Sequence, residues 1–220
     1  MIPAFNESAT IAAVVRGALE HAMVIVVDDG SSDETRHLAE KAGARVVSHC
    51  APQGYDAALD RGFREAATLD IDHVLTMDAD GQHSAGAVAA FVAAAAAGAD
   101  VVAGVRDHKQ RVAEHLFALV TRVVLGIRDP LCGMKMYRLS VYRALGHFDS
   151  YRSIGTELLL YAACTSRLIA QVPIVTPRRQ GAPRFGSGLR PNLRIVMALL
   201  RFLRRAMFGF DVQGPGQSAT

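Results

Sequence analysis

The chain has 220 residues, half of them hydrophobic, with a net charge of +3, eight histidines and three cysteines. That length suits one domain with a core of its own, and Cys50, Cys132 and Cys164 are too few, too scattered and odd in number for a disulfide framework or a zinc site. They read as free thiols in a reducing compartment. No run reaches the ~20 apolar residues of a membrane span: Gly86 and Gly98 punctuate the Ala85 to Ala99 stretch, and Arg201 stops the run from Ile195.

Ile2-Pro3-Ala4-Phe5 reads as the tail of a strand, so the first strand of the sheet is nearly absent. Met1-Ile2-Pro3 leads straight into a polar turn, which predicts no signal peptide. Asn6-Glu7-Ser8 caps a helix over Ala9 to Leu19. Val24 to Val27 is a buried strand, and Ser31-x-x-Glu34 is a capping-box pattern that opens a helix to Ala42. Gly43 closes it before a strand over Ala44 to Ser48. A helix over Ala57 to Ala67 leads to a strand over His73 to Met77, a helix over Ala85 to Ala97 and a strand over Asp100 to Gly104. This alternation predicts a doubly wound α/β sheet.

After Val105 the rhythm changes. Arg106 to Arg111 reads as a polar loop, Val112 to Leu125 as an amphipathic helix, Asp129 to Gly133 as a turn and Met134 to Arg138 as a short strand. A helix over Thr156 to Thr165 and a strand over Leu168 to Val175 follow. A loop from Pro177 to Gly186 precedes a helix over Pro191 to Phe208, and the tail from Gly209 is expected to be disordered. The domain limits are thus 1–190 for the α/β body, 191–208 for a basic amphipathic helix and 209–220 for the tail.

Charge is uneven. From Thr176 onward eight arginines face Asp211 alone, which points to an anionic partner, either phosphate groups or a membrane surface. Nucleic acid is not favoured, because no aromatics interleave with the basic residues and no binding motif is present.

Two strand ends carry the chemistry. Asp78-Ala79-Asp80 with Gln82 offers three oxygen ligands on one turn, suited to Mg²⁺ or Mn²⁺ with phosphate oxygens filling other positions. Turn-forming aspartates would give the same spacing, but these follow an apolar strand. Asp28 and Asp29 end another apolar strand, where a carboxylate can accept hydrogen bonds from a nucleobase or ribose. No Gly-x-Gly-x-x-Gly and no P-loop occurs, so a bound diphosphate would need metal and Arg or Lys to neutralise it.

Ile2-Pro-Ala-Phe-Asn-Glu7, Val27-Asp-Asp-Gly-Ser-Ser-Asp33, Met77-Asp-Ala-Asp-Gly-Gln-His83, Asp129-x-x-Cys-Gly-Met-Lys135 and Arg179-x-Gly-x-x-Arg-Phe-Gly186 occur in that order. Together they resemble an inverting glycosyltransferase of family 2 with the GT-A fold, most nearly the polyprenyl-phosphate (dolichyl-phosphate) mannose or glucose synthases. The resemblance implies a Rossmann-like single domain with a mostly parallel central sheet flanked by helices. It implies that Pro3, Phe5, Glu7, Asp28, Asp29 and Asp78 hold the nucleoside side of a nucleotide-sugar. Asp78, Asp80 and Gln82 would hold the cation. Lys135, Arg138, Arg179 and Arg184 would bind phosphate, the last two from a loop that closes over the diphosphate. Asp129, Asp80 and Lys135 form the implied catalytic set. Lys135 stands where the family usually has arginine, which loses the bidentate fork, and Pro183 stands where serine is common.

An inverting transfer to a lipid phosphate needs little general base. Transfer to a sugar hydroxyl needs one, for which Asp129 is the first candidate and Glu157 the second. Arg190, Arg194, Arg201, Arg204 and Arg205 fall on one narrow face of the last helix. That helix either lies in a membrane interface beside a lipid acceptor or packs on the core or a second subunit, which leaves a homodimer open. The expected reaction moves a hexose from a GDP-mannose or UDP-glucose type donor to polyprenyl phosphate, at the cytoplasmic face of the membrane. The alternatives are a glycan hydroxyl as acceptor, a nucleotidyltransferase, which should carry a Gly-rich basic N-terminal loop absent here, and a degenerate nucleotide-sugar-binding protein without activity.

Overall fold

The computed structural model describes residues 1–81, 85–109, 111–175 and 189–208. Gln82, Arg179, Arg184, the loop from Pro177 to Gly186 and the tail from Gly209 lie outside the described residues.

The strands β1 (Ile2–Ala4), β2 (Ile25–Asp28) and β3 (Arg45–Ser48) pair in parallel in the order β1-β2-β3. β1 and β2 are buried at every position, which is why they read as continuous apolar runs instead of alternating ones. A second set, β4 (His73–Thr76), β5 (Val101–Arg106), β6 (Lys135–Arg138) and β7 (Ile169–Ile174), lies in the order β4-β6-β5-β7. Met1 joins the two sets: its N–H₃⁺ donates to Leu75 O at 2.8 Å and its carbonyl accepts Met77 N–H at 3.1 Å. This places the short first strand between β2 and β4, at the centre of the sheet.

β6 alone runs antiparallel, against both β4 and β5. Helices cover both faces. α1 (Ile11–Leu19) and α4 (Val88–Ala96) close one core around Val15, Val26, Phe91 and Val102. α3 (Tyr55–Ala67), α5 (Val112–Leu125), α6 (Leu139–Leu145), α7 (Glu157–Cys164) and α8 (Leu189–Phe208) close the other. Its centre is an aromatic stack in which Phe63 lies 4.8 Å from Phe148 and 5.1 Å from Tyr142, with Tyr137 edge-on. α2 (Thr35–Lys41) packs beside α1.

Several expectations change. α1 begins at Ile11, not Ala9, and the capping box at Ser31 does not form, because Ser31 Oγ accepts Asn6 N–H instead. Arg106 ends a strand and does not open a loop. The helix α6 has no counterpart in the sequence reading; four of its seven residues are buried, so no amphipathic period marks it. α8 starts two residues before Pro191 and buries Ile195, Ala198, Leu199 and Phe202 in the core. Among the described residues no helix is long and apolar enough to cross a membrane. The cysteines are free; Cys132 is buried and the other two are exposed.

Candidate active site

β1, β2, β4 and β5 all point their carboxyl ends to one edge of the sheet, the edge where open α/β sheets bind ligands. A cavity of about 420 Å³ opens there. Pro3, Phe5, Glu7, Asp29, Tyr55, Asp78 and Asp80 are among its lining residues. Arg106, Arg111, Lys135 and Arg194 line the same cavity, as do the apolar Leu131, Ile154, Pro191 and Ile195. Carboxylates and cations therefore share one space.

Each acidic group is held by its neighbours. Asp29 is buried and fully engaged: Oδ1 accepts Gln53 N–H at 2.8 Å and lies 2.7 Å from His49 Nδ1, and Oδ2 accepts Gly54 N–H at 2.7 Å. It fixes the turn that delivers Tyr55 to the cavity. Asp28 is buried and its Oδ1 accepts Ser31 N–H at 3.2 Å, so it shapes the turn without lining the cavity. Asp78 Oδ1 accepts the Tyr55 hydroxyl at 3.3 Å. Burial and the Asp78 charge push the Tyr55 phenol well up, which keeps it a donor. Thr10 Oγ1 donates to Ala79 O at 2.7 Å and ties the Asp78–Asp80 turn to the start of α1.

The antiparallel direction of β6 separates two cations placed together from sequence. Lys135 begins the strand and therefore sits at the cavity, 4% exposed, with Nζ donating to Gly155 O at 2.8 Å. Burial pulls its pKa down to about 8, against the pull of the surrounding acidic groups. Arg138 ends the strand at the far edge of the sheet, 3.6 Å from Asp100, and does not reach the cavity. Its expected role as a phosphate ligand has no geometric support.

Asp129 is also placed differently from the expectation. It is buried behind Arg106, whose Nε donates to Oδ2 at 2.8 Å and whose Nη2 donates to Oδ1 at 2.9 Å. The same guanidinium reaches Glu114 at 3.2 Å. Burial alone would lower the Arg106 pKa, but Asp129 and Glu114 outweigh it and hold the guanidinium charged. With both oxygens committed, Asp129 positions an arginine and is poorly placed to take a proton. Glu157 lies outside the cavity, where it accepts Ser150 Oγ at 2.8 Å and pairs with His147 at 3.1 Å.

Arg106 was missed from sequence, yet its signal was present: it follows five apolar or small residues, at the same strand-end position as Asp28 and Asp78. Arg111 and Glu114 carried no such signal, since only the packing of α5 against the sheet brings them to the site. Among the described residues no cluster of three or more His, Cys, Asp and Glu side chains forms a closed metal cage. A cation held by Asp78 and Asp80 would keep positions open for other oxygens, as Mg²⁺ and Mn²⁺ sites on phosphate substrates do.

The family described as glycosyl transferase family 2 matches residues 1–146. An uncharacterized glycosyltransferase of Mycobacterium tuberculosis is 31% identical over 213 residues, covering 92% of this chain and 94% of its own. The dolichyl-phosphate hexose transferase of Haloferax volcanii is 31% identical over 191 residues, covering 80% and 81%. Among solved structures, glucosyl-3-phosphoglycerate synthase of M. tuberculosis in complex with Mn²⁺, UDP and phosphoglyceric acid superposes with a TM-score of 0.74 at 24% identity, over 91% of this chain and 76% of that one.

Proposed function

The chain belongs to glycosyl transferase family 2, and on that premise we propose that it moves a hexose from a nucleotide-sugar to polyprenyl phosphate. One observation carries the reading: a single cavity joins the Asp78 and Asp80 carboxylates, the cations Arg106, Arg111, Lys135 and Arg194, and the apolar side chains of Leu131, Ile154 and Ile195. A nucleotide-sugar needs the first two, and a prenyl phosphate needs the last two. The Haloferax relative bears the name of a dolichyl-phosphate enzyme, which supports the lipid acceptor.

Asp78 and Asp80, with Gln82, would hold Mg²⁺ or Mn²⁺. The fit rests on two hard carboxylates opening into one cavity and on the absence of a side chain at Gly133, which makes room for Asp78. When bound, the ion supplies positive charge to the diphosphate of the leaving nucleotide. Pro3, Phe5, Glu7 and Asp29 would border the nucleoside, with Asp28 bracing the turn behind them. Lys135, Arg106 and Arg194 would face the phosphates, with Arg179 and Arg184 completing the set.

In the transfer, an oxygen of the acceptor phosphate attacks the anomeric carbon in line. The new C–O bond forms as the bond to the nucleoside diphosphate breaks, and the configuration inverts. Charge grows on the leaving diphosphate, so pre-placed cations act most strongly in the transition state. An ionised phosphate needs no general base. This suits a site in which Asp129 is engaged by Arg106 and Glu157 is remote. The lipid acceptor also implies work at the inner face of the membrane, with α8 in peripheral contact.

A thermal-shift panel of GDP- and UDP-sugars with Mg²⁺ or Mn²⁺, followed by transfer to a short polyprenyl phosphate, tests the reading. Asp80→Ala is expected to lose both metal-dependent donor binding and transfer. Donor binding that persists unchanged in that variant would remove the metal assignment and the reading with it.

A further inference from the structure

α5 turns Val112, Leu116, Leu119 and Val123 to solvent, each between 46% and 84% exposed. Their spacing of four, three and four residues puts them on one stripe of the helix. α8 packs against α5 and turns out Leu193, Met197, Leu200 and Met207, so two apolar stripes lie side by side. The exposed charged residues on these two faces are all basic: Arg122 on α5, and Arg194, Arg201 and Arg204 on α8. The one acidic residue of either helix, Glu114, is buried against Arg106.

A second copy of this chain would bring like charges together across a two-fold axis, whereas an anionic lipid surface matches both the apolar stripes and the cations. We propose that the joint face of α5 and α8 docks the protein on a bilayer containing anionic phospholipid, with α5 giving an apolar contact as large as that of α8. The proposal deepens, and for its purpose rests on, the reading of the cavity as a site for a membrane-borne acceptor. The N-terminal ends of both helices reach that cavity, through Glu114 on α5 and through Pro191 and Arg194 on α8. A prenyl phosphate held in the bilayer under this face would meet the cations of the site without leaving the lipid.

The test uses the full chain and sedimentation with phosphatidylcholine vesicles, with and without phosphatidylglycerol. The wild type is expected to bind the phosphatidylglycerol vesicles at least about tenfold better, and to release them in high salt. The double variant Leu119→Glu and Val123→Glu changes only solvent-facing residues of α5. It should lose vesicle binding about tenfold or more while keeping the wild-type thermal shift with nucleotide-sugar and Mn²⁺. It should also keep transfer to a water-soluble short prenyl phosphate. Asp80→Ala should bind vesicles like the wild type, so a failure of the catalytic reading leaves the docking result legible. Wild-type chain that ignores the vesicles, or a double variant that binds them as before, overturns the proposal. So does a dimer in solution that the double variant dissolves, since the face would then belong to a second copy.

Discussion

A β-carbon placed on Gly133 would lie 2.2 Å from Oδ2 of Asp78 and 2.6 Å from its carboxyl carbon. Any side chain there would have to displace the Asp78 carboxylate, so the glycine just before β6 sets where the aspartate after β4 can lie. Thr76 Oγ1 donates to Gly133 O at 2.7 Å and keeps the two segments at that spacing.

Gly133→Ala is therefore expected to force the Asp78 carboxylate aside while leaving the fold in place. Overpacking of this kind costs about 1–3 kcal/mol, and if most of it falls on the liganded state, donor affinity in Mn²⁺ drops about tenfold or more. Calorimetric titration with a nucleoside diphosphate and Mn²⁺ checks this, with circular dichroism as the control for folding. Unaltered affinity would mean that Asp78 can turn away without consequence for the site.

Asp129 and Arg106 form a nearly buried two-point pair; removing Arg106 strips the buried Asp129 carboxylate of its ion-pair partner, and removing Asp129 leaves the guanidinium with Glu114 alone. Asp129→Ala is expected to destabilise the fold by about 3 kcal/mol in urea unfolding, and Arg106→Met by a similar amount. The double variant should fall well short of the sum. A general base at Asp129 would instead give an acid limb in the pH profile of kcat/KM that Asp129→Asn abolishes. We expect Asn at that position to lower kcat/KM without changing the shape of the acid side.

Lys135 is expected to set the alkaline limit of the site. Its folded pKa of about 8 lies below the ordinary lysine value of 10.5, because burial disfavours the ammonium. The charge is lost as pH rises through about 8, and transfer should fall with it. The unfolded chain binds more protons between about 8 and 10.5, so the same group makes the fold gain stability as pH rises through that window. Lys135→Arg keeps a charge at every accessible pH and should carry activity past pH 9, because a guanidinium does not deprotonate there. An alkaline limb that stays in place in the arginine variant would assign it to another group.

The order of strands and helices was legible because β2 and most of β5 are buried on both faces, β4 alternates buried and half-buried residues, and Gly43 and Gly98 punctuate the chain. The acidic half of the cavity was legible too, since Asp78 and Asp80 stand directly at a strand end. What sequence could not carry was direction. Nothing local to Lys135-Met-Tyr-Arg138 reveals that β6 runs antiparallel, and that single fact sends Lys135 to the cavity and Arg138 to the opposite edge. Asp129 misled for a related reason: its partner Arg106 lies 23 residues upstream, and only the sheet brings the two together. The helix α6 escaped because a helix buried on most sides has no period to read.

The turn that supplies Ile154 to the cavity offers the last test. Arg152 and Ile154 both have φ of 59°, an unfavourable region for a β-branched residue such as Ile154. Asp56 holds the turn by accepting Gly155 N–H at 2.6 Å, and Gly155 in turn accepts from Lys135. Burial, and then the charge of Asp149, push the Asp56 pKa up from 3.8 to about 6. The folded state thus binds more protons than the unfolded chain between those values. The stability this gives is full below about pH 3.8 and is lost as pH rises through about 6. Asp56→Asn keeps an oxygen to accept Gly155 N–H and carries no charge to bury. It is expected to raise stability at pH 7.5 by about 1–2 kcal/mol, discounted for partial exposure of the site, and to flatten the fall between pH 4 and pH 7. Urea unfolding of both proteins across that range decides it: a variant less stable than the wild type at pH 7.5 would mean that the ionised carboxylate, and not merely its hydrogen-bonding oxygen, holds the strained turn.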